Sequence, residues 1–169
     1  IRSALESSGI EIPLVIAGGT PTFPQFAELS DFSLSPGTAF LHDSGYASNF
    51  RDLELRPAAW VLGRVVSRRD AETITIDVGT KSIATDPKGA RGYFPELKQP
   101  EVLIHNEEHW VIRDPSTKAF GIGDTIRVIP THICPTVNLY NRLHLLRREG
   151  GVDLWPVDAR DRYVPSWGV

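Results

Sequence analysis

The chain has 169 residues, 41% hydrophobic and 23% charged, with a net charge of −3. These figures fit a soluble globular protein with one substantial core, and the interspersed, slightly acidic charge argues against a nucleic-acid partner held through its phosphates. No apolar run approaches the roughly 20 residues of a bilayer span, Glu6 and Glu11 interrupt any signal-peptide core, and one cysteine excludes an internal disulfide, so a cytoplasmic location is expected.

Methionine is absent, and the chain opens on Ile1 inside a helical pattern, so it reads as a piece cut from a longer protein. Ala4, Leu5 and Ile10 sit at roughly helical spacing, with Ser7, Ser8 and Gly9 as a stop signal. In "IPLVIAGGTPTF" the apolar run from Pro13 to Ala17 suits a strand buried on both faces, as in a parallel sheet. Thr20 or Thr22 then caps a short helix to about Leu29, with Pro21 or Pro24 near its first turn. "SLSPG" breaks the chain, and strands dominate from Thr38 onward. The expected strands are "TAFLHD", "AAWVLGRVVSRR", "TITIDV", "EHWVIR", "DTIRVIPTHIC", "RLHLLRREG" and "VDLWPVDAR", with "GYASNFRDLEL" a brief helical connection. In "TITIDV", Ile74, Ile76 and Val78 alternate with Thr73, Thr75 and Asp77, the period of a half-buried strand. The fold class is therefore mainly β: a small antiparallel β-barrel or sandwich over residues 36–169, preceded by an α/β remnant over residues 1–35.

Four segments carry groups capable of chemistry. His132 and Cys134 are two apart; on an extended backbone both side chains point to one face, about 6–7 Å apart, and imidazole and thiolate both suit zinc. Pro135 would end the strand there and open the site. Against this, a lone cysteine is more often a small buried apolar residue. In "AGGTPT", Gly18 and Gly19 let backbone N–H groups approach a phosphate closely, and Thr20 and Thr22 offer hydroxyls; the same residues also suit a plain strand-to-helix turn. "DVGTKSIATD" places Asp77 and Lys81 around a glycine turn, and "NEEHW" brings Glu107 and Glu108 beside His109, within the compass of a pairing to His109 or Arg127. For both, solvated surface charge is the simpler account.

Taken in order, "GGTPTF", "DVGTKSIATD", "NEEHWVI", "GDTIRVIPTHICPTVNLY" and "WPVDAR" make the chain resemble the carboxy-terminal part of the D-serine dehydratase / D-threonine aldolase family, pyridoxal-phosphate enzymes of the alanine racemase-like fold. Asn106 stands where that family more often has serine. The resemblance implies a (β/α)₈ barrel that binds pyridoxal 5'-phosphate, with residues 1–35 its last portion, and a β domain over residues 36–169. It implies that His132 and Cys134 bind Zn2+, and that Gly18, Gly19 and Thr20 receive the cofactor phosphate. It further implies a D-amino acid substrate bearing a β-hydroxyl and a homodimer; the charge and the lack of a long apolar run already argue against a nucleic-acid or a membrane partner. Aldolase members often carry aspartate at the position of Cys134, so the softer cysteine leans toward zinc and the dehydratase side. The cofactor lysine of the family lies early in the barrel, whereas Lys81, Lys88, Lys98 and Lys118 all follow the glycine loop. The chain alone is therefore expected to be inactive, with no catalytic residue of its own. Two other readings stay open: an amino acid racemase using Tyr140 or Tyr163 as base, and a non-catalytic β-barrel module with Cys134 buried and His132 a core residue.

Overall fold

The computed structural model describes residues 1–160. Helix α1 (Arg2–Ser7) stops where Gly9 takes a φ of 79°, a left-handed backbone that glycine adopts without steric cost. Strand β1 (Ile16–Ala17), helix α2 (Phe23–Ala27) and strand β2 (Ser33–Leu34) follow, with β1 and β2 paired in parallel. Parallel neighbours need a crossover, and α2 supplies it, with Thr22 at its N-cap and Pro24 in its first turn. The expected strand from Pro13 to Ala17 forms only over its last two residues and is not buried on both faces: Leu14 is 58% and Ile16 62% exposed. Among the described residues β1 has a single strand neighbour, which leaves the apolar run only partly covered.

The expected strand "TAFLHD" is instead a 3₁₀ turn over Gly37–Phe40; with no strand beside it, the backbone satisfies itself locally. Helix α3 (Ser44–Asn49) begins at Asp43, whose carboxylate accepts from the Tyr46 N–H at 2.8 Å.

The body of the molecule is one antiparallel sheet of β3 (Val61–Arg68), β4 (Thr73–Ile76), β5 (Gly92–Tyr93), β6 (Glu101–His105), β7 (Trp110–Arg113) and β8 (Thr125–Pro130), in the order β5-β8-β3-β4-β7-β6. It curls into a half-barrel. In β3, Val61, Gly63 and Val65 face inward while Leu62 and Arg64 face out, the period-two pattern of a sheet with one covered face. Those inward positions meet Ile74, Ile76, Trp110, Ile112, Ile126 and Val128 in a single core, with Phe94 edge-on to Trp110. Thr73 is buried as well, so β4 is covered more completely than its alternation implied. Strands β5 and β6 escaped the sequence reading: one is two residues long, the other follows a proline and carries a register shift between Val102 and Ile104.

The two edges of the curled sheet approach one another. Arg91, just before β5, has its guanidinium 3.2 Å from His105 Nδ1 at the end of β6. Burial pushes the His105 imidazole down and the Arg91 charge adds to this, so the ring accepts from Arg91 in its neutral form. A cleft of about 850 Å³ lies alongside, lined by β5, Val102, α3 and residues 87–90. Beyond the sheet come helix α4 (Ile133–Val137) and a separate hairpin of β9 (Arg142–Leu146) and β10 (Val152–Pro156). Among the described residues no helix is long and apolar enough to cross a membrane.

Candidate functional site

The segment "THIC" is not the end of a strand. Strand β8 stops at Pro130, His132 is the extended N-cap of α4 (φ −133°, ψ 108°), and Cys134 is the second residue of that helix. The same-face strand geometry expected for His132 and Cys134 is thus corrected. Pro135 sits in the helix's first turn, where its missing N–H costs nothing, and that start draws the two residues off the strand. Both side chains nonetheless reach solvent: Cys134 is exposed and His132 is 42% exposed. Neither is the buried residue that a plain binding module would require.

The turn is fixed from several sides. Between the two candidates, the Ile133 N–H donates to the buried Asp43 carboxylate at 3.0 Å, so one carboxylate caps α3 and anchors the start of α4. Thr136 donates its hydroxyl to the His132 carbonyl at 2.8 Å and accepts from the Ala84 N–H at 3.0 Å. Gly45 of α3 lies so close that a Cβ there would fall 2.3 Å from the Thr131 carbonyl oxygen. The donor atoms have partners of their own. His132 Nδ1 is 2.5 Å from Asp86 Oδ2, and Cys134 Sγ is 3.1 Å from Thr38 Oγ1. A carboxylate only accepts, so Nδ1 carries a hydrogen, and in the neutral ring the lone pair then lies on Nε2.

Gly18 carries a φ of 74°, and a Cβ on it would press on the Phe23 backbone at 3.0 Å. Gly19 by contrast faces open space. Among the described residues the N–H groups of Gly19 and Thr20 make no hydrogen bond. Thr20 is buried, and its hydroxyl accepts from the Ala39 N–H at 3.1 Å. Ala39 adjoins Thr38, which touches Cys134. One 3₁₀ turn therefore joins the two groups of residues that the sequence left far apart.

A family described as "Putative serine dehydratase domain" matches residues 58–146, more than half of the chain. The chain belongs to this serine dehydratase domain family. A D-threonine aldolase of Arthrobacter sp is 31% identical over 160 residues, covering 92% of this chain and 42% of that protein. The D-threonine aldolase of Filomicrobium marinum superposes with a TM-score of 0.78 at 24% identity, over 94% of this chain and 44% of that one. D-threo-3-hydroxyaspartate dehydratase from Delftia sp. HT23 gives a TM-score of 0.72 at 21% identity, over 92% and 46%. The chain thus spans less than half the length of these relatives, which are lyases, and it resembles their carboxy-terminal part.

The remaining candidates of this serine dehydratase domain have structural work. Lys81 sits 3.0 Å from Glu108 and 3.1 Å from Glu107, and the two carboxylates, Glu108 foremost, push its ammonium up. Glu107 and Glu108 are solvated surface charges, in keeping with the simpler account; among the described residues the alternative pairing with His109 or Arg127 is not formed, and Arg127 meets Glu96. Asp77 accepts from the Arg64 N–H at 2.6 Å, beside the register shift of β3. Tyr140 donates its hydroxyl to the Ser82 carbonyl at 2.7 Å, and burial pushes it above the ordinary phenol range, a poor setting for a base. Tyr163 lies outside the described residues. Sequence reasoning missed Asp43, Asp86 and Thr38 as supports. Their sequence distances from Ile133, His132 and Cys134 are 90, 46 and 96, and no local pattern spans such gaps.

Proposed function

We propose that this chain is the metal-binding β domain, together with a small piece of the cofactor-binding unit, of a pyridoxal-phosphate- and zinc-dependent lyase acting on D-β-hydroxy amino acids. The observation that carries the reading is the exposed His132–Cys134 turn with each donor atom held by its own partner. An imidazole with a free Nε2 and an accessible sulfur fit zinc. Among the described residues no group of three His, Cys, Asp or Glu side chains is poised to hold an ion, so the proposed ligand set is these two side chains alone. The related D-threo-3-hydroxyaspartate dehydratase has been solved as a histidine-to-alanine variant and as a cysteine-to-alanine variant two positions further on, the latter in the metal-free form. Those residue types and that spacing match His132 and Cys134.

The glycine loop fits a phosphate on its own terms, since Gly19 is open and the N–H groups of Gly19 and Thr20 are uncommitted among the described residues. Residues 1–35, with their parallel β1–β2 pair, would belong to the cofactor unit, and residues 36–169 to the β domain. When bound, pyridoxal phosphate supplies an electron sink for charge at the substrate α-carbon, and zinc a Lewis acid for the β-oxygen. Within the chain, Gly18, Gly19 and Thr20 receive the phosphate, while His132 and Cys134 hold the ion. Asp43 keeps the backbone between those two ligands in place. The cofactor lysine would come from the remaining length of the intact protein, a cytoplasmic homodimer.

Cysteine rather than aspartate at position 134 favours a dehydratase, while the 31% identical relative favours an aldolase. An assay of the intact protein with both cofactors separates them. Pyruvate and ammonia from D-serine, or the corresponding keto acid from D-3-hydroxyaspartate, mark the dehydratase; glycine and acetaldehyde from D-threonine mark the aldolase. Either activity should fall at least about a hundredfold in His132→Ala and Cys134→Ala, the scale of a lost Lewis acid. Turnover of none of these substrates, or variants as active as the parent, would overturn the reading.

A further inference from the structure

We infer that Asp86 is a positioning residue that presets His132 for metal binding through Nε2. The inference rests on the zinc reading above and adds to it a residue outside the His-x-Cys pair. The 2.5 Å contact places the carboxylate on the Nδ1 side of the ring. Nε2 lies on the far side of an imidazole from Nδ1, so a carboxylate bonded at Nδ1 cannot also bind an ion held at Nε2. Asp86 therefore acts through the histidine rather than as a third ligand, in keeping with the absence of a three-residue ligand cluster among the described residues.

The pair is a poor candidate for a purely structural device. Asp86 is 54% and His132 42% exposed, and exposed ion pairs add little to folding. What the contact does accomplish is chemical. It selects the tautomer with hydrogen on Nδ1, orients the ring, and raises the basicity of the opposite nitrogen. A free imidazole in water favours the other tautomer, which would present a hydrogen rather than a lone pair at Nε2. Asp86 is well placed for this role: it follows the buried Ala84, whose N–H is bonded to Thr136 in the very helix that His132 caps. The carboxylate and the imidazole are thus carried by two segments already tied together.

Two measurements on the full chain test this: the His132 tautomer in metal-free protein, from the nitrogen–proton correlations of the ring, and Zn2+ affinity by competition with a chromophoric chelator. The parent should show hydrogen on Nδ1. In Asp86→Ala the tautomer should move toward Nε2–H and Zn2+ affinity should drop by about 10–100-fold. Asp86→Glu should restore most of both, and thermal melting should be little changed. A parent-like tautomer with parent-like affinity in Asp86→Ala overturns the inference while zinc binding by the parent stands. Lower affinity with an unchanged tautomer also overturns it, making Asp86 a ligand. If the parent binds no Zn2+, or binds it equally well without His132 and Cys134, the zinc reading itself fails, and with it the purpose assigned to Asp86.

Discussion

Ligand chemistry at a single position decides which ion this turn prefers. Cys134 presents a soft, polarisable sulfur, exposed and 3.1 Å from the Thr38 hydroxyl. Cys134→Asp keeps a negative donor at the same place but makes it hard, so affinity for Zn2+ should fall while Mn2+ or Mg2+ gains in relative terms. Competition titrations with the three ions give the ratio directly; an unchanged preference would mean that position 134 does not ligate. The residue types at 132 and 134 were legible in the sequence, and their exposure is what keeps the metal reading in play. Their local geometry was not legible. Pro135 is equally at home after a strand and in the first turn of a helix, and tertiary bonds, from Ile133 to Asp43 and from Ala84 to Thr136, decide for the helix.

Among the elements, the strands with strong alternation were the legible ones. The alternation of Ile74, Ile76 and Val78 was legible, and all three are buried, whereas the two-residue β5 and the irregular β6 carry too little pattern to be seen. The connections between strands rest on buried polar caps that no periodicity reveals. Asp114, after β7, is an example. It accepts from the Ser116 and Gln99 N–H groups, each at 2.6 Å, and is almost wholly buried. Desolvation pushes its carboxyl up, but these backbone bonds outweigh that and hold it below the ordinary aspartate value. Because the folded state lowers this pKa relative to the unfolded chain, the ionised carboxylate stabilises the fold at neutral pH. That contribution is lost as pH falls below about 3.9 and on through the depressed folded-state value. Asp114→Asn turns one acceptor into a donor facing an N–H, and should cost about 1–3 kcal/mol at pH 7. Urea denaturation from pH 7 to pH 2 should show the variant's deficit shrinking in acid; a deficit constant with pH would refute the electrostatic account.

At the scale of the molecule, the sequence reading separated an α/β portion from a β portion but left their contact unspecified. The structure supplies a link between the proposed phosphate loop and the proposed metal turn: Thr20 holds the Ala39 N–H, and the adjacent Thr38 holds Cys134. Thr38→Val removes a hydroxyl that would donate to the bound thiolate, and should weaken Zn2+ binding about fivefold, the equivalent of roughly 1 kcal/mol at an exposed site. Thr20→Val touches neither proposed metal ligand. It should still weaken Zn2+ binding, by a smaller factor, because the turn that aims Thr38 loses its anchor. If that is the route, the two substitutions act on one contact and their effects cannot add: the double variant should bind Zn2+ about as well as Thr38→Val alone. Strict additivity in this cycle would show that the loop and the turn respond independently. Non-additivity would mean that the fold couples the place where the cofactor phosphate would sit to the ion that would hold the substrate, through a single turn at the junction of the two portions.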